Sequence, residues 1–221
     1  MLVSRAVDDV KRWLFIISLV ARAAAAQPSS TPSEAEAALA LARATPGTKP
    51  VAVRVLADLG GRVPVLFFTS PPTRVRVAIL KRQGGWFVGE TLELPCTASI
   101  SGEARWAEVT VKDLDGDGQP ELVAVYDYEH RDAEVDDGRL RDLAIVHLSP
   151  QLTTAFTLNL NNFSFGEDGS TAEWKLVRRR GAAPDIVTTT TGFTDGEPGQ
   201  SEKRRYRYDS HMRRWRPAHA Q

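Results

Sequence analysis

The sequence predicts an all-β fold, three four-stranded segments in one domain behind a short helix. Three observations carry that prediction. From Val51 onward the apolar residues recur with the two-residue period of half-buried strands. The β-formers Val109, Val111, Leu122, Val123 and Val125 flank a single acidic loop, so that loop joins strands and not helices. Finally, Pro120-Glu121-Leu122-Val123 aligns with Pro184-Asp185-Ile186-Val187 and with Pro64-Val65-Leu66-Phe67, which marks the second strand of three comparable segments.

Residues 1–26 read as a secretory signal peptide. Lys11 and Arg12 precede the apolar run Trp13–Ala21, and Ala24-x-Ala26 suits cleavage, with Gln27 as the mature start. Asp8, Asp9 and Arg22 depart from that pattern, and the rival reading is an uncleaved anchor. The run is short for a membrane span. Residues 27–50 form a polar leader with one short helix. Thr31 is expected as its N-cap, with Pro32 in the first turn and Glu34 completing a capping box. Leu39 and Leu41 are its only large apolar residues, so it is expected to pack weakly, as an appended and mobile element.

Residues 51–221 form a single β domain, with repeats over about 51–95, 105–161 and 172–219. The first segment is expected to hold Val51–Leu56, Val63–Phe68, Arg74–Lys81 and Trp86–Leu94, with a turn at Gln83-Gly84-Gly85. The second holds Trp106–Val111, Glu121–Tyr126, Leu143–Leu148 and Thr154–Leu160. The third holds Ala172–Arg178, Asp185–Thr190, Arg204–Tyr208 and Arg214–Pro217.

The loop from Asp113 to Leu122, Asp-Leu-Asp-Gly-Asp-Gly-Gln-Pro-Glu-Leu, is the most specific stretch. Its carboxylates at Asp113, Asp115, Asp117 and Glu121 repel one another unless a cation neutralises them. Calcium suits such a set, because it takes six to eight oxygens at ~2.3–2.6 Å in irregular geometry. Asp113, Asp115 and Asp117 are assigned as side-chain ligands, Gln119 through its carbonyl, and Glu121 as the closing carboxylate. Gly116 and Gly118 supply the positive φ angles of a tight curl. An EF-hand needs a bidentate Glu at the twelfth position and flanking helices, but Ala124 stands there and strands flank the loop.

The stretch resembles the calcium loop of FG-GAP or VCBS-type repeats, the blades of integrin-α-like β-propellers, with Glu121 where Asp is commoner. The close match covers about fourteen residues. The resemblance implies a blade-like plan, with Ca2+ in the hairpin between the first two strands of a blade. Propellers typically have about 4–8 blades, and this chain offers three segments. It is expected to be a truncated open propeller, a sandwich-like packing of hairpins, or half of a homo-oligomer that closes a larger ring. The other two loops, Asp58–Arg62 and Arg179–Ala183, lack the acidic set, so one metal site is expected.

Other features are less specific. Asp127–Gly138 is an acidic excursion that reads as a solvated loop. Arg204–Arg216 interleaves arginine with Tyr206, Tyr208 and Trp215, which reads as a terminal hairpin with its rings turned inward. Among His130, His147, His211 and His219 there is no short metal-ligand spacing. Cys96, the single cysteine, is expected to be buried and inert. Lys plus Arg and Asp plus Glu each number 28, so nothing points to nucleic acid. No nucleophile elbow or zinc-protease motif is present, and no catalytic residue is assigned.

The expectation is a secreted or periplasmic, non-enzymatic, calcium-binding module for a protein or glycan ligand, without a membrane span in its mature form. The alternatives are an exported calcium-dependent hydrolase of polysaccharide or phosphoester, and an envelope adhesion module using the arginine-aromatic hairpin.

Overall fold

The switch to a two-residue period at Val51 coincides with the start of sheet structure. The computed structural model describes residues 31–70, 73–100, 102–131, 137–163 and 169–218. Helix α1 spans Glu34–Ala44. Twelve strands follow: β1 (Lys49–Val55), β2 (Arg62–Ser70), β3 (Arg74–Arg82), β4 (Trp86–Glu93), β5 (Ala104–Lys112), β6 (Glu121–Arg131), β7 (Asp137–His147), β8 (Thr153–Phe163), β9 (Gly169–Arg179), β10 (Ala182–Thr194), β11 (Glu197–Asp209) and β12 (Arg214–Pro217). Each expected strand is present. The signal peptide and its cleavage site lie outside the described residues.

The helix begins two residues later than expected. Ser33, not Thr31, is the N-cap, and the capping box closes through Glu36 instead of Glu34. Glu36 N–H donates to Ser33 Oγ at 3.2 Å, and Ser33 N–H donates to Glu36 Oε2 at 2.8 Å. The later start buries Pro32 ahead of the cap and turns Ala37, Ala40 and Leu41 inward. Those three join Val63, Val65, Phe67, Ala78 and Leu80 in one cluster. The expectation of a weakly packed, appended helix is therefore corrected. The alanines let α1 sit close to the sheet, and one fully buried leucine anchors it.

The strands form two antiparallel sheets, not three. One has the order β1-β2-β3-β4, and the other runs from β12 through to β5. In the second, β8 and β9 pair only through Asn161↔Thr171, Asn162↔Ser170 and Phe163↔Gly169. With so short a seam the two halves part below it and face each other. Val123, Val125, Leu143 and Ile145 on the first half share a core with Ile186 and Trp215 on the second. The opposite face of the first half, through Leu122, Ala124, Tyr126 and Val146, packs on Leu66, Phe68, Val77 and Ile79 of the four-stranded sheet. The order across the molecule is helix, small sheet, then the two halves of the large sheet. No closed propeller is formed among the described residues.

Side-chain parity separates these packings. Strand neighbours point to opposite faces, so even- and odd-numbered residues in β2, β6 and β10 can be followed separately. The even face of β6 meets the even face of β2, whereas its odd face meets the even face of β10. The second and third segments therefore stack in one sense, and the first is turned over against them. The alignment at Pro64, Pro120 and Pro184 captures strand order but does not make the first segment equivalent to the others. The acidic excursion also changes character: Asp127–Arg131 belongs to β6 and 137–147 to β7, and only residues 132–136 lie outside the description.

Candidate metal centre

The acidic loop is the bend between β5 and β6, which are paired in register up to Lys112↔Glu121. Gly116 and Gly118 have φ of 79° and 83°, a region that costs a residue with a Cβ. The curl they permit turns the carboxylates back onto the loop's own amides. Asp113 accepts from Gly116 N–H at 2.7 Å and from Gly118 N–H at 3.1 Å. Asp115 Oδ1 accepts from Asp117 N–H (3.1 Å), and Asp117 Oδ1 accepts from Gln119 N–H (2.7 Å). Carboxylate oxygens of Asp113, Asp115 and Asp117 all lie within 4.8 Å of one another, so these three could hold a metal ion. Each retains lone pairs beyond those taken by the amides. The chemistry of this donor set, hard oxygens on a curled loop, suits a hard divalent cation.

Glu121 is placed differently. It is fully buried, and both of its oxygens have protein partners. Leu114 N–H donates to Oε2 at 2.7 Å, and His147 Nδ1 lies 3.0 Å from Oε1. Asp115, Glu121 and His147 form a second group with donor atoms within 4.8 Å. His147 Nε2 meets the carbonyl oxygen of Arg213 at 2.8 Å. The Arg213 carbonyl can only accept, so Nε2–H donates to it; Nδ1 donates in turn wherever Glu121 is a carboxylate, and the ring is then an imidazolium. Burial alone would lower the His147 pKa, but the hydrogen bonds to Glu121 and to the Arg213 carbonyl outweigh it and hold the ring above its ordinary value. Neither ring nitrogen is left for a metal.

Two residues of the third segment complete the surroundings. The Tyr208 hydroxyl hydrogen-bonds Asp115, and the phenol is pushed up, first by burial and then by that carboxylate. The Arg213 guanidinium stands 3.6 Å from Asp117 and donates to the Ser149 carbonyl at 3.1 Å. Arg213 has a φ of 49°, a strained value for a side chain of its size. The sequence pattern singled out neither residue for this role. His147 stands in sequence among apolar Ile145, Val146 and Leu148, and only its register partner, Glu121, exposes its role.

Two clefts adjoin the loop. One of about 510 Å3 is lined by Asp115, Asp117, Arg179, Tyr208 and Arg213, among others. The other, about 420 Å3, is lined by Lys112, Asp113, Arg178 and Arg179 together with Leu114 and Leu176.

In the third segment Asp185 aligns with Glu121. It is also buried, but its acidic loop is gone, and guanidinium groups of Arg179, Arg205 and Arg207 stand 3.6–3.9 Å from it. Arginines there supply the positive charge locally.

The remaining candidates fall into place around this centre. Tyr206 and Tyr208 pack inward, and Trp215 is buried with its Nε1–H donating to Pro184 O at 2.9 Å. The rings of the terminal hairpin are thus turned away from solvent. Cys96 is half-buried, and its thiol is pushed up to about 12, mainly by burial. No helix among the described residues is long and apolar enough to cross a membrane. Comparison with family models, curated proteins and solved structures finds no match.

Proposed function

We propose that this protein is an exported, calcium-binding β-repeat module that binds a protein or glycan partner and performs no catalysis of its own. The observation that carries the metal reading is the convergence of Asp113, Asp115 and Asp117 within 4.8 Å on a strand-joining bend. Asp113, Asp115, Asp117 and the Gln119 carbonyl would hold the ion. Glu121 would close the cage from the buried side, fixed there by Leu114 and His147. Likeness to the FG-GAP and VCBS-type loop supports the same assignment. Bound calcium would rigidify the β5–β6 bend and, through Asp115 and Asp117, the Tyr208–Arg213 end of the third segment.

An ion bound only by the folded chain stabilises it by about 2.7 kcal/mol at a hundredfold excess over Kd. The melting temperature is therefore expected to rise with calcium and fall back with chelator, and Asp115→Ala is expected to abolish that response. Identical melting curves with calcium and with chelator would refute the metal reading.

One observation favours a second reading, a calcium-dependent hydrolase: the 510 Å3 cleft carries the carboxylates of both Asp115 and Asp117 on its wall. Turnover of a polysaccharide or phosphoester by the purified chain, present with calcium and abolished by chelator, would establish it in place of the first.

A further inference from the structure

The 420 Å3 cleft lies between the start of the acidic loop and the ends of β9 and β10, and its charge is the reverse of the loop's. Lys112, Arg178 and Arg179 line it against the single carboxylate of Asp113. Arg179 shares its charge with Asp185, 3.6 Å away. Lys112 and Arg178 are exposed and have no ion-pair partner among the described residues. Leu114, Leu176 and Pro184 supply apolar lining to the same cleft. Unpaired cations beside low-polarity surface hold anions more strongly than the same cations dispersed in water. The guanidinium fork of Arg178 matches two oxygens of one oxyanion, with Lys112 as a point charge for a third.

We propose that this cleft binds a compact oxyanion, a sulfate or phosphate group, either free or as the ester of a sugar. No aromatic side chain lines it, so the stacking that would favour a nucleic-acid base is missing. Asp113 stands on the same wall and is one of the residues assigned to calcium. In the part that rests on that assignment, neutralising Asp113 strengthens the positive field in the cleft, and by reciprocity the anion strengthens calcium binding.

The test is calorimetric titration of the full chain with inorganic sulfate and, separately, with glucose 6-sulfate. Ionic strength is held constant with chloride, and each titration is run with calcium and with chelator. Saturable binding of either supports the site, and the tighter of the two names its source. Binding is expected to weaken about tenfold in Arg178→Gln and in Lys112→Gln, the loss of one charge-assisted contact. It is expected to be about tenfold tighter with calcium, at the low end of typical coupling. Both side chains are exposed, and unchanged melting temperatures would verify that the variants fold.

Absence of saturable binding, or equal binding in both variants, overturns the oxyanion site. A calcium titration without sulfate separates the two assignments. Calcium binding without sulfate binding removes the oxyanion site and leaves the metal site standing. Sulfate binding without calcium binding does the reverse. Equal sulfate affinity with calcium and with chelator overturns the coupling.

Discussion

His147 shows how one buried side chain ties two segments together. It sits on β7, pairs with Glu121 on β6, and reaches the Arg213 carbonyl in the β11–β12 turn. Asp115 lies beside it, the Tyr208 ring stands 6.1 Å from its own, and the Arg213 guanidinium opposes its charge. Because its folded pKa is raised, the stabilisation it supplies is complete below the unfolded value of about 6.5 and is lost as pH rises through the folded value. The melting-temperature gap between wild type and His147→Gln is therefore expected to be widest in mild acid and to narrow toward alkaline pH. A gap that stays level or widens with pH would contradict the imidazolium. None of this was legible in the sequence, where His147 stands among Ile145, Val146 and Leu148 like any core residue. Its partners are 26 and 66 positions away and meet it only through strand register and a turn.

At the scale of elements the sequence is more informative, because strands and bends are local. The alternation of β-formers located all twelve strands, and the Asp-Gly spacing located the curled bend that brings Asp113, Asp115 and Asp117 together. The capping pattern locates helix α1 but does not show how closely it packs. Both Thr31-x-x-Glu34 and Ser33-x-x-Glu36 satisfy the capping-box pattern, and burial of Ala37, Ala40 and Leu41 selects the second. Leu41→Ala is expected to cost about 2–5 kcal/mol in urea unfolding, as for other buried leucines. Leu39→Ala, on the exposed side, is expected to cost well under that, leaving only surface effects of roughly 0.5 kcal/mol. Equal small losses in both would mean that the helix is indeed an appendage. A second link between elements is Asp142, which is buried and accepts from Thr97 N–H (2.8 Å), Tyr128 Oη (2.8 Å) and Asn159 Nδ2 (2.9 Å). It fixes the segment after β4 to the face of β7.

For the molecule as a whole, the sheet faces decide what local patterning could not. The three segments read as equivalent because each carries four strands and a Pro at the second. Equivalence also requires that each segment present the same face to the next, and the first does not. At one end of the stack α1 covers the small sheet. At the other, the outer face of β9–β12 carries exposed Lys175, Lys203, Arg205, Arg207 and Arg216 around the buried Asp185. Between these ends, the β5–β6 bend is where the second and third segments meet, through Asp115 with Tyr208 and Asp117 with Arg213. A cation held there would act on both halves of the large sheet.

The most direct test of that centre is equilibrium calcium titration of the chelated protein, followed by calorimetry. One ion per chain is expected, with a Kd on the order of 10⁻⁴–10⁻³ M, the range of extracellular calcium modules, and no binding in Asp113→Ala/Asp117→Ala. No heat at millimolar calcium, or an unchanged stoichiometry and affinity in the double variant, would contradict the account.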